Sequence, residues 1–81
     1  MNFIFTFGSG QAHHNGYVRV VADSSNEARA AMFAIWGDKW SMQYDTEEEA
    51  GVGRFGLRCV GVVAVDRGRV TFFASGNGDE Q

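Results

Sequence analysis

The sequence predicts an α+β domain in which a mostly antiparallel sheet of four or five strands carries one main helix on one face. Three observations predict it. Residues 2–7 alternate, with Phe3, Phe5 and Phe7 on one side and Ile4 and Thr6 on the other, which is the period of a strand. Residues 24–37 hold a helical apolar stripe between a cap and a glycine. Residues 57–75 read as two strands joined by Asp66, Arg67 and Gly68, a short hairpin turn. The predicted order is β-β-α-β-(short α)-β-β in a single domain over residues 1–81, with 76–81 expected to be a frayed tail.

The first strand ends at Gly8, and Ile4 on its second face points to a fairly central position. Residues 8–16 follow as a loop containing His13, His14 and the turn pair Asn15-Gly16, both of which tolerate positive φ. Residues 17–22 resume strand alternation, with Val18, Val20 and Ala22 as the cleaner apolar face. A long-looped antiparallel hairpin with the first strand accounts for both.

The helix is predicted over residues 25–36. Ser24 and Glu27 have capping-box spacing: the hydroxyl accepts an otherwise unpaired N–H, and the carboxylate reaches back. Asp23 and Glu27 suit the positive end of the helix dipole. Ala28, Ala31, Met32, Ile35 and Trp36 form the stripe expected to face the sheet. Phe33 lies off its centre, as a flank of a wide stripe or an exposed anchor. Gly37 is the expected stop, in the αL conformation.

Residues 39–44 alternate again, with Trp40, Met42 and Tyr44 on one face, and predict a third strand. Asp45, Thr46, Glu47, Glu48 and Glu49 then predict a short helical turn closed by Gly51, because both Asp45 and Thr46 can cap it. Residues 51–56 read as loose, with Phe55 as an apolar contact. The strand over 57–65 becomes apolar on both faces toward its end, which suits a central place, and Gly61 marks a bulge or bend. Residues 69–75 are the return strand.

Composition narrows the function classes. The chain has 81 residues, a net charge of −3, seven Phe, eleven Gly, no Pro and one Cys. A lone Cys59 closes no internal disulfide and completes no zinc set, so a reducing cytoplasm is expected. No apolar run is long enough to span a bilayer, and the N-terminus lacks the pattern of a signal peptide. Clustered basic charge is missing, which disfavours direct nucleic-acid binding. Stacking of bases on Trp36, Trp40 and Tyr44 would also need a basic groove. The Gly8-Ser9-Gly10 run leads into His13 and a strand rather than into a Lys and a helix, so it does not make a phosphate loop. His13 and His14 are adjacent and therefore point apart in an extended segment. A pairing of either with Cys59 in space stays open, although a Cys inside an apolar strand is ordinarily a buried inert thiol. No catalytic set, metal ligand set or cofactor is expected.

The densest charge lies in residues 38–49. Asp38, Asp45, Glu47, Glu48 and Glu49 surround Trp40 and Tyr44. These seven are the candidate partner-binding residues: aromatic anchors supply affinity and acidic neighbours steer a basic protein surface. The bland reading is a solvated face with capping duties.

Two stretches carry a resemblance. They are Phe5-Thr6-Phe7-Gly8-Ser9-Gly10-Gln11 and the segment Glu27-Ala28-Arg29-Ala30-Ala31-Met32-Phe33 through Trp36-Gly37-Asp38-Lys39-Trp40 to Gln43-Tyr44. Together they resemble small proteins of phages and mobile elements that include anti-CRISPR proteins. The resemblance implies a non-enzymatic inhibitor in the host bacterial cytoplasm. It would bind a Cas effector subunit and block DNA recognition or nuclease recruitment. It assigns no residue roles. Two other classes stay open: a structural or assembly module, monomeric or homodimeric through an exposed sheet edge, and a small enzyme built on the loop over 8–16.

Overall fold

The computed structural model describes residues 1–8 and 10–75; Ser9 of the glycine-rich loop and the tail expected to fray, residues 76–81, lie outside them. The elements are β1 (Asn2–Thr6), β2 (Gly16–Val21), α1 (Ser25–Trp36), β3 (Met42–Tyr44), α2 (Glu47–Ala50), α3 (Val52–Phe55), β4 (Arg58–Asp66) and β5 (Arg69–Ala74). They form an α+β fold around one five-stranded sheet of order β3-β1-β2-β4-β5.

The first hairpin sets the register. Phe3 pairs with Val20 and Phe5 with Val18, so the apolar sides of β1 and β2 coincide under α1. Ala28, Ala31 and Met32 of the helix are buried on them, with Val63 from β4 completing that core. The capping box forms as predicted: Glu27 N–H donates to Ser24 Oγ at 3.2 Å and Asp23 N–H to Glu27 Oε1 at 3.1 Å. Gly37 does end the helix with a positive φ of 62°, but its ψ of −126° lies outside αL.

The sheet is mixed. Three pairings are antiparallel, while β2 and β4 run parallel. The reason is the path between them. After α1 the chain pairs β3 with the outer side of β1, then crosses back through α2 and α3 on the other face before entering β4 beside β2. β1 and β2 are thus covered on both faces. Ile4, Tyr17 and Ala50 form a second, smaller core there, flanked by Tyr44, Val52 and Leu57. The stretch expected to be loose, 51–56, is therefore mostly the short helix α3, and Phe55 is exposed rather than packed.

Three local expectations need correction. Only Asn15 of the Asn15-Gly16 pair has positive φ, because Gly16 already belongs to β2. The bulge next to Gly61 falls at Val60, where the β2–β4 register steps from Tyr17↔Cys59 to Val18↔Gly61. Gly61 itself answers a close approach: a Cβ there would stand 2.5 Å from the Phe73 carbonyl oxygen and 2.6 Å from the Phe72 ring. Finally, Cys59 is exposed, since it lies at the open start of β4 rather than in its apolar middle.

Candidate functional site

The predicted partner-binding residues divide between the two faces of the sheet. The third strand begins only at Met42, because the chain turns after Gly37: Lys39 N–H donates to Trp36 O at 3.0 Å and Ser41 N–H to Thr6 O at 2.8 Å. Trp40 sits in that turn and rotates toward α1. Its ring meets Phe5 edge-on at 5.0 Å and Phe33 at 5.3 Å between centroids, and its Nε1 donates to Gly37 O at 3.0 Å. Tyr44, expected on the same face, pairs with Ile4 and packs half-buried against the small core beneath α2.

Around Trp40 the structure builds a surface groove of about 450 Å³ lined by Arg29, Phe33, Asp38, Trp40, Ser41, Met42 and Gln43. Its walls include two large apolar side chains left in solvent: Phe33 is 50% exposed and Met42 52%. Arg29 lies over the Trp40 ring at 5.2 Å and donates to Gln43 Oε1 at 3.3 Å, a cation–π contact that holds the guanidinium flat against the groove. Asp38 at the rim is exposed. Arg29, Phe33, Ser41, Met42 and Gln43 are the groove residues that were not among the sequence candidates. The one available signal was that Phe33 and Arg29 both lie off the buried stripe of α1.

The acidic run is not one uniform patch. Glu47 is paired with Arg19 of β2, and that hydrogen bond raises the guanidinium pKa above its ordinary value. Glu49 closes a second capping box: its N–H donates to Thr46 Oγ1 at 3.0 Å, and its Oε1 accepts from Asp45 N–H at 3.3 Å. The side chains of Asp45, Glu48 and Glu49 remain exposed. The bland reading thus explains Glu47 and Glu49 in part, while Asp38, Asp45 and Glu48 are the carboxylates with no hydrogen-bond or ion-pair duty among the described residues.

The loop candidates meet around another hollow, about 360 Å³, lined by His13, His14, Asn15, Arg58 and Cys59 among others. His13 is a packing residue, edge-on to Phe7 at 5.2 Å and to Trp36 at 6.1 Å. The Cys59 thiol reaches Gly61 O at 3.7 Å, and no bond joins it to either His among the described residues. The nucleophile–base contact that thiol catalysis requires is not assembled. Burial, with Cys59 and Glu47 nearby, pushes the Tyr17 phenol pKa above its ordinary value. Among the described residues no group of three or more His, Cys, Asp or Glu is placed to hold a metal ion, and no helix is long and apolar enough to cross a membrane.

Compared with protein-family models, curated proteins and solved structures, the chain matches none.

Proposed function

We propose that this chain is a non-enzymatic binding protein that docks onto a basic protein surface through the groove between α1 and β3. The observation that supports it is the pairing of Phe33 and Met42, each about half exposed, around Trp40, with Asp38 at the rim. Apolar side chains left in water beside a fixed aromatic ring are the composition of a contact centre, and a charged rim speeds encounter. Asp45, just past β3, and Glu48 and Glu49 on α2 lie outside the groove, toward the other face of the sheet, and add to the negative charge of this edge. Tyr44 and Glu47 contribute by holding β3 and α2 in place rather than by contact.

In its most specific form the reading is an anti-CRISPR inhibitor in the bacterial cytoplasm, with a Cas effector subunit as the partner. That form rests on the resemblance of the segments around Phe5 and Trp40 alone. The test is direct binding of the purified chain to purified Cas effector complexes, followed by target-DNA binding in its presence. Binding that weakens with salt, and that falls at least about tenfold with Phe33→Ala or Asp38→Lys, is expected. Failure to bind any effector type removes the inhibitor reading. Binding unaffected by either substitution removes this groove.

A further inference from the structure

The two edges of the sheet differ in length and charge, and we propose that the chain self-associates through β5, which pairs antiparallel with β5 of a second copy about a two-fold axis at Phe72. This inference is independent of the groove reading, because the groove's Trp40 and Met42 lie at the β3 edge, at the other end of the strand order.

The hydrogen-bond phase of β5 carries the argument. β5 is an outer strand whose neighbour is β4. The ladder runs without a register shift from Asp66↔Arg69 to Gly61↔Ala74, and Ser75 N–H donates to Val60 O at 2.9 Å just beyond it. In an antiparallel ladder, alternate residues turn both main-chain groups to the same side. Thr71, Phe73 and Ser75 therefore turn theirs toward β4, and Val70, Phe72 and Ala74 turn theirs out along the outer edge, which pairs with no further strand among the described residues. An open row of that kind is a template for another strand, and proteins ordinarily blunt it with Pro, bulges or charge. β5 has no Pro and no bulge, and Arg69 is its one charged residue.

The row is also self-complementary. With Phe72 on the axis, Val70 meets Ala74 of the second copy and Phe72 meets its counterpart, so every outward N–H and C=O of the strand finds a partner. On the open face Thr71 lies opposite Phe73 of the second copy, and Arg69 lies opposite Ser75. No like charges face each other. Phe73, 59% exposed, with Val21 at 39%, then belongs to an apolar face continuous across both copies.

Charge selects this edge over the other. β3 is three residues long and stands beside Asp38, Asp45, Glu48 and Glu49. Pairing two copies there would bring acidic ends together, which is unfavourable at contact range. Pairing through β5 puts those ends at the far limits of the joint sheet. The β4–β5 turn contributes Asp66, Arg67 and Arg69, a net positive end.

Sedimentation equilibrium should give a mass approaching twice the 8.9 kDa of the chain at high micromolar concentration. Thr71→Asp with Phe73→Asp, and separately Thr71→Lys with Phe73→Lys, place like charges opposite each other across the axis. Each double variant should be monomeric, and mixing the two should restore a dimer of one acidic and one basic copy. Circular dichroism checks that each variant is folded. Should one not fold, hydrogen exchange on the unaltered chain decides: the amides of Val70, Phe72 and Ala74 should exchange more slowly as concentration rises. A monomer at all concentrations overturns the proposal, as does a dimer that survives either double variant or one whose Val70, Phe72 and Ala74 amides gain no protection.

Discussion

Arg19 on β2 and Glu47 at the start of α2, 28 residues apart, form the salt bridge that ties the short helices to the sheet. The pair lies at the border of the small core of Ile4, Tyr17 and Ala50. It turns one residue of an acidic run into a structural tie, while its neighbour Glu48 stays in solvent.

Glu47→Gln should therefore lower stability more than Glu48→Gln. The two paired side chains are 43% and 39% exposed, so solvent screening limits the pair to about 0.5–1 kcal/mol, a Tm loss of a few degrees for a domain of this size. Thermal melts at low and high salt check it. Equal Tm values for the two variants would show that the tie contributes nothing.

The two capping boxes should differ in reach. Ser24→Ala and Thr46→Ala each remove one side-chain acceptor, worth about 1 kcal/mol. α1 carries the main core, so Ser24→Ala should reduce global stability. α2 spans Glu47–Ala50 alone, and Thr46→Ala should chiefly speed exchange of the Glu49 amide, which loses its bond to Thr46 Oγ1. Hydrogen exchange by NMR separates the two results.

Trp40→Phe should retain the edge-on contact with Phe5 and lose the bond from Nε1 to Gly37 O, costing about 1 kcal/mol. Phe33→Ala should leave the melting curve almost unchanged, because Phe33 is half exposed, and should act on partner binding. A large Tm loss for Phe33→Ala would instead assign that ring to the core.

Gly61→Ala should destabilise by about 1–3 kcal/mol. Its new methyl meets the Phe73 carbonyl oxygen, a main-chain atom that cannot swing aside, and the Phe72 ring. Chemical denaturation measures it; a neutral result would mean that β4 and β5 separate freely at this point.

Alkaline unfolding should depend on Tyr17. Its pKa is raised on folding, first by burial and then by Cys59 and Glu47. The neutral phenol thus favours the fold at every pH below its unfolded value near about 10. That stability is lost as pH rises through the folded value, because the unfolded chain releases the proton first. Tyr17→Phe should flatten the alkaline limb of a stability–pH profile. A limb of unchanged steepness would place the effect on other groups.

Local pattern carried much of the fold. Alternation at Phe3, Phe5 and Phe7, the Ser24/Glu27 box, the stripe from Ala28 to Trp36 and the stop at Gly37 depend on neighbours within one or two turns, and all are present in the structure. Trp40 and Cys59 show where that reasoning ends. Period-two alternation placed Trp40 with Tyr44, but the turn after Gly37 delays β3 to Met42 and rotates the ring under α1. Cys59 looked buried by its apolar neighbours, yet exposure depends on where a strand starts and what covers it.

The candidate site was legible in part for the same reason. Asp38 and Trp40 stand out in sequence, and the groove gathers both. Phe33 and Arg29 join them from a helix that precedes the turn, and only folding brings them beside Met42. The parallel pairing of β2 with β4 is of the same kind. The sequence by itself determined most of the strand, helix and turn segments, α3 and the start of β3 excepted, because those choices rest on periods and caps read over a few residues. The tertiary structure alone decided the strand order, the division of the acidic run between tie and surface, and which strands form the edges of the sheet. Those depend on contacts between residues far apart in the chain, whose energies no local pattern contains.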